Sequence, residues 1–289
     1  MSEVRIASPS LRATIAARGA ELVALETAQG LPLLWHGDPQ WWTGRAPLLF
    51  PIVGRLPGDT ALIDGIAYDL PQHGFARTST FQLLSADASR CTWELAASPE
   101  LLARYPRTFA LQVAYALDGP TLTVTATVAN ADARPMPVSF GFHPAFRWPL
   151  VPGAGRGGHA LLFEALETAP IHWPVDGLLS RDTAHSPVAG RRLDLADALF
   201  DKGALIFVAP RSRTVTYRAP GGESIAVAFP GMPHLGIWTK PGAPFVCIEP
   251  WQGYAAPEGF AGELSGKPGM LVLPPGAKAS FAMAITVSA

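Results

Sequence analysis

A period-two alternation of apolar and polar residues constrains this chain more than any other feature. Leu111, Val113, Tyr115 and Leu117 alternate, Asp118-Gly119-Pro120 supplies a turn, and Leu122, Val124, Ala126 and Val128 alternate again. Successive side chains of a strand point to opposite faces, so the pattern predicts a β-hairpin with one buried face. Phe281, Met283, Ile285 and Val287 repeat it near the C-terminal end, and Leu11, Ala13 and Ile15 do so more weakly near the start. The 28 glycines and 29 prolines are spread along the whole length, as expected of many short strands joined by turns. One short helix is expected over 98–105, because Ser98 can cap the orphan amides, Pro99 suits the first turn and Pro106 ends it. The segment from Trp148 to Gly158 reads as a long loop with strand signals on both sides. No linker or internal repeat divides the chain. The expected fold class is therefore all-β: a large antiparallel β-sandwich forming a single domain over 1–289, its two sheets packed face to face.

Bulk properties remove several function classes. With 48% hydrophobic residues, 16% charged residues and a mean hydropathy of +0.20, the chain has ample material for a core and is not disordered. Its 22 basic and 23 acidic residues give a net charge of −1 without like-charge runs, so neither nucleic acid nor an anionic membrane surface is an expected partner. No stretch approaches the roughly 18 apolar residues of a spanning segment, and no signal-like apolar run opens the chain, so a cytoplasmic location is expected. Cys91 and Cys247 are far apart and outside any CxxC or Cys/His metal spacing, which implies neither a disulfide framework nor a structural zinc site.

Four segments place ionisable groups among aromatic and turn residues, a composition suited to a sugar site: Leu49-Phe50-Pro51-Ile52-Val53-Gly54-Arg55, Gln72-His73-Gly74-Phe75-Ala76-Arg77, Gly141-Phe142-His143-Pro144-Ala145-Phe146 and Phe245-Val246-Cys247-Ile248-Glu249-Pro250-Trp251. Taken singly, His73 or His143 reads more readily as a hydrogen-bonded core residue, and Arg55 as a structural ion pair. Glu249 is the sharper case. A carboxylate behind the run Phe-Val-Cys-Ile is expensive to bury without a partner or a task.

In this order the four segments resemble the aldose 1-epimerase (galactose mutarotase) family, and more closely its bacterial branch with FPxxGR, QHGFAR, HPxF and EPW signatures. The resemblance runs from about Ala46 to Trp251 and implies a galactose mutarotase-like supersandwich with the sugar across the concave face of one sheet. Carried over by motif, it implies that Glu249 is the general base, His143 the general acid, His73 a second active-site histidine and Arg55 a substrate-binding arginine. Arg77 and Trp238 are further substrate-binding candidates. Asp201 is the candidate for the family's sugar-binding aspartate, with Gly203 competing for that position. Trp238, Trp251 or Phe75 offer an apolar platform for the sugar ring.

The implied activity interconverts the α and β anomers of a hexose. Glu249 takes the O1 proton, His143 as imidazolium protonates O5, the aldehyde rotates about C1–C2, and the ring recloses by the reverse steps. No metal, redox cofactor or covalent nucleophile is required. The partner is a small-molecule sugar, and the protein is expected as a monomer or homodimer. Three alternatives stand beside this reading: a hexose-6-phosphate mutarotase using Arg77, Arg147 or Lys240, a noncatalytic carbohydrate-binding module, and a glycosidase or lyase. A hydrolase would normally need two paired carboxylates, and only Glu249 lies in a motif. The pH profile of the epimerase is expected to be bell-shaped, its acid limb marking protonation of Glu249 and its alkaline limb deprotonation of His143.

Overall fold

The expected hairpin forms as strands Phe109–Asp118 and Thr121–Asn130, in continuous antiparallel register, in the computed structural model, which describes residues 2–288. Every second residue of Thr121–Asn130 is buried. Each fully buried Leu or Val contributes roughly 1.5–3 kcal/mol, and a slip of one residue would expose them all, so the pattern fixes the register. The C-terminal alternation becomes strand Lys278–Ser288, which pairs with Thr121–Asn130 on one side and Ser224–Ala228 on the other. These strands are central to a nine-stranded antiparallel sheet running from Arg192–Asp194 at one edge to Gln82–Ala86 at the other.

A six-stranded sheet faces it. In order it holds Leu205–Phe207, His234–Trp238, Phe245–Gln252, Phe140–Phe142 and Leu48–Leu49, with Ala145–Arg147 also pairing to Phe245–Gln252. Phe140 of this sheet stacks on Phe281 of the other, ring centroids 5.2 Å apart. Strands Glu3–Ala7, Leu11–Ala16 and Leu22–Thr27 form a third sheet that adds Ile6, Leu11, Ile15 and Leu22 to the same core. The protein is nearly all β, with large antiparallel sheets.

Strand Phe245–Gln252 departs from simple alternation because both its faces are covered. Val246 and Ile248 point into the main core with Leu235 and Ile237, whereas Phe245, Cys247 and Trp251 belong to smaller clusters on the opposite face. A strand buried on both sides reads as a continuous apolar run, and here the run delivers Glu249 to the face turned away from the main core.

The helix is shorter than expected. It covers Pro99–Leu102, with Ser98 Oγ accepting from the Leu101 amide at 3.3 Å, and hydrogen bonds from Arg104 and Tyr105 to the Leu101 carbonyl close it before Pro106. Residues 148–158 carry no strand, as read. Both cysteines are free and buried. Among the described residues no helix is long and apolar enough to cross a membrane.

Candidate active site

Period two places Cys247, Glu249 and Trp251 on one face of their strand. The neighbouring strand pairs Gly236 with Glu249, Trp238 with Cys247 and His234 with Trp251. On the other side, Gly141 pairs with Trp251 and Ala145 with Cys247. The register is the same before and after Pro144, so His143 falls directly opposite Glu249 although the ladder is interrupted there. Cross-strand neighbours approach closely, and His143 Nε2 lies 3.1 Å from Glu249 Oε2. The two residues are 8% and 2% exposed.

They form the floor of a cavity of about 310 Å³, which His73, Arg77, Trp42, Trp238 and Trp251 also line. This volume suits one small ligand held by a few polar groups in a largely apolar wall. The Trp42 ring packs 4.9 Å from His143 and 5.4 Å from Trp238, while Trp238 meets His143 edge-on at 5.7 Å. Aromatic enclosure removes water from the pair, and that sets its electrostatics. Burial pushes the His143 imidazolium down to about 3, and the Arg77 charge adds to the shift. Burial likewise pushes the Glu249 carboxyl well above its ordinary range, with the Trp251 indole offsetting part of the shift. Both shifts favour the state in which the pair shares one proton and carries no net charge.

His73 is positioned by its backbone. It adopts φ of +66°, uncommon for a residue with a side chain, while its amide donates to the Gly54 carbonyl and its Nδ1 accepts from the Gly54 amide at 3.1 Å. A ring nitrogen that accepts from an N–H cannot itself be protonated, so Nε2 carries the proton. Burial, the nearby His143 and the Arg77 charge, in that order, hold the ring neutral. Arg77 is half-buried; one terminal nitrogen donates to the Gln72 carbonyl at 2.9 Å and its Nε has no partner among the described residues.

The structure brings His73, Arg77, His143, Trp238 and Glu249 together, but not the other two expected binding residues. Arg55 makes a two-pronged ion pair with Asp59, at 2.8 and 2.7 Å, and a third contact to the Asp176 carbonyl. It stands behind Gly177, the residue that reaches the cavity wall. Asp201 is exposed at the end of a short 3-10 turn, and Gly203 takes the place in the wall, against Pro174. Phe75 is fully buried with Phe50, Tyr105 and Phe109 and is no sugar platform. Trp42 was not a sequence candidate. The available signal was a tryptophan pair in the polar, turn-rich segment His36-Gly37-Asp38-Pro39-Gln40-Trp41-Trp42.

Two glycines make room for Trp251. A Cβ on Gly236 would lie 2.3 Å from the indole, and one on Gly141 would lie 2.7 Å from it. Gly236→Ala is expected to push the indole out of the cavity wall and destabilise the protein by about 1–3 kcal/mol, the usual cost of overpacking. Denaturant unfolding measures the loss; an unchanged midpoint would show that the strand gives way at no cost.

His143, Cys247 and Glu249 also offer three ligand atoms within 4.8 Å of one another. The aldose 1-epimerase family model matches residues 2–285. The chain is 34% identical over 248 residues to the chromosomal LacX protein of Lactococcus lactis subsp. lactis, a match covering 81% of this chain and 82% of that protein. Its structure is similar to that of a galactose mutarotase related enzyme from Lactobacillus acidophilus, with a TM-score of 0.93 at 29% identity, over 100% of this chain and 98% of that one. A galactose mutarotase-like protein from Lactobacillus casei gives a TM-score of 0.91 at 29% identity, over 99% and 100% of the two chains. With the family model matching nearly the whole sequence and a 34% identical relative aligned over 81% of it, this chain belongs to the aldose 1-epimerase family, an isomerase family.

Proposed function

We propose that the protein is a mutarotase that interconverts the α and β anomers of a neutral hexose by acid–base ring opening and closure. The observation that carries this reading is the 3.1 Å contact between His143 Nε2 and Glu249 Oε2 on the cavity floor. O1 and O5 are bonded to the same anomeric carbon, so an acid and a base side by side can serve both. In the ionic form of the pair, Glu249 takes the proton of the O1 hydroxyl as the C1–O5 bond breaks, and His143 delivers its proton to O5. C1 becomes an aldehyde and O5, now protonated, becomes the hydroxyl of C5. After rotation about C1–C2 the same groups act in reverse, so each cycle restores the pair to its starting protonation. Neutral His73 supplies an N–H donor at Nε2, and Trp42, Trp238 and Trp251 supply apolar surface for the sugar's C–H faces.

Charge favours an unphosphorylated substrate. Of Arg77, Arg147 and Lys240, only Arg77 lines the cavity; Lys240 is exposed and donates to the Trp41 carbonyl. Anomer exchange followed by polarimetry or NMR on neutral aldoses and their 6-phosphates tests the proposal. Exchange on a neutral hexose supports it. Exchange confined to phosphates moves the substrate class, and binding without exchange on every sugar moves the protein to the carbohydrate-binding alternative.

His73 gives a separate expectation. Asparagine tolerates a positive φ, so His73→Asn should retain the unfolding midpoint of the parent. It lacks the Nε2 donor, and kcat/KM should fall about tenfold, the equivalent of one lost hydrogen bond of about 1.4 kcal/mol. Equal activity in the two proteins would show that His73 serves only the loop.

A further inference from the structure

We infer that His143, Cys247 and Glu249 form an inhibitory site for a thiophilic divalent cation, zinc or cadmium, which takes the place of the proton that the acid–base pair shares. The inference rests on the reading of that pair as catalytic. Its starting point is geometric. One ligand atom from each residue lies within 4.8 Å of the other two, and all three side chains are buried. Tetrahedral zinc with its usual bond lengths sets such atoms about 3.3–3.6 Å apart, so side-chain rotations of about an ångström complete the site. Strand pairing already holds the backbone. Cys247 and Glu249 share a face two residues apart, and His143 lies opposite Glu249 in unbroken register. The buried Nδ1 of His143 has no hydrogen-bond partner among the described residues, so no hydrogen bond at that atom opposes a small shift of the ring.

Charge and donor chemistry agree. An imidazole nitrogen, a thiolate and a carboxylate are all normal zinc ligands, and three protein ligands leave a fourth position open. Here that position faces the cavity, since His143 and Glu249 both line it. A thiolate, a carboxylate and a neutral imidazole cancel the double positive charge of the ion, the condition for placing an ion where water is excluded. Binding expels two protons, one from the thiol and one from the pair. The bound ion occupies the lone pair of the acid and the oxygen of the base together. Proton transfer to and from the sugar then stops, so the ion inhibits.

The test uses the whole wild-type protein, stripped with a chelator and titrated with zinc or cadmium. Full anomer exchange is expected after chelation, with at least a tenfold loss when one equivalent of zinc is bound. The cadmium form should show thiolate-to-cadmium charge-transfer absorption, and zinc-edge X-ray absorption should show one sulfur among the ligands. Cys247→Ala should weaken zinc inhibition at least tenfold and abolish the cadmium band, whereas Cys91→Ala should change neither. Should Cys247→Ala not fold, the wild-type X-ray absorption decides alone. A zinc shell of nitrogen and oxygen only, undiminished inhibition of folded Cys247→Ala, or activity that chelation removes and zinc restores would each overturn the inference. The spectroscopic measurements need no turnover, so a wild-type protein without anomer exchange would refute the catalytic reading and leave the metal site separately decided.

Discussion

Glu249→Gln is expected to lower kcat for anomer exchange by roughly 100-fold or more, the scale of losing a general base, which corresponds to about 2.7 kcal/mol of transition-state stabilisation. Glutamine keeps the size and planarity of the side chain and can still hydrogen-bond to His143 Nε2, but it cannot take the O1 proton. Sugar binding should survive, because His73, Arg77 and the three tryptophans are untouched. Loss of fold does not explain such a result. Burial raises the folded carboxyl above its unfolded value. The wild type therefore loses stability as pH climbs from the unfolded to the folded pKa, whereas glutamine, which mimics the protonated acid, does not. The variant should be at least as stable as the parent at neutral pH. Near-parental exchange on every aldose that binds would remove Glu249 from the role of base.

The parts of this molecule that sequence reveals are those in which local pattern and long-range packing agree. The hairpin Phe109–Asp118/Thr121–Asn130 is legible because one of its faces is buried and the other is not. Glu249 stands out for the opposite reason, as a charge within a strand covered on both faces. The distinction between Asp201 and Gly203 is not legible. It depends on Gly203 packing against Pro174, about thirty residues away, and no local periodicity encodes that contact. Arg55 illustrates a different limit. Its motif marks it as a sugar ligand, yet Asp59, four residues on, engages its guanidinium fork through two hydrogen bonds. Trp42 lies in a loop, where no strand period separates a wall residue from a core one. Of the candidate site, then, the motifs pointed to His143 and Glu249, which the fold brings into contact, while much of the wall is tertiary.

The direct contact of acid and base changes what pH should do. With two groups 3.1 Å apart, the limbs of the profile belong to the pair, not separately to Glu249 and His143. In the proposed mechanism the active form holds one proton. Taking up a second leaves no base, and burial of His143 pushes that step below the ordinary imidazole range. Losing the shared proton leaves no acid, and burial pushes that step above the ordinary carboxylate range. Wild-type kcat/KM should therefore be flat between an acid edge below the ordinary imidazole range and an alkaline edge above the ordinary carboxylate range. His143→Asn should lower kcat by roughly 100-fold or more, as general-acid removal does. It should also move the acid edge upward, because Glu249 alone must now ionise inside the aromatic enclosure, and it should remove the alkaline limb. Rate measurements on folded protein across the pH range, with and without the substitution, read both effects. An acid edge that stays in place after His143→Asn would mean that the edge never belonged to the pair, and the shared-proton description would fail with it.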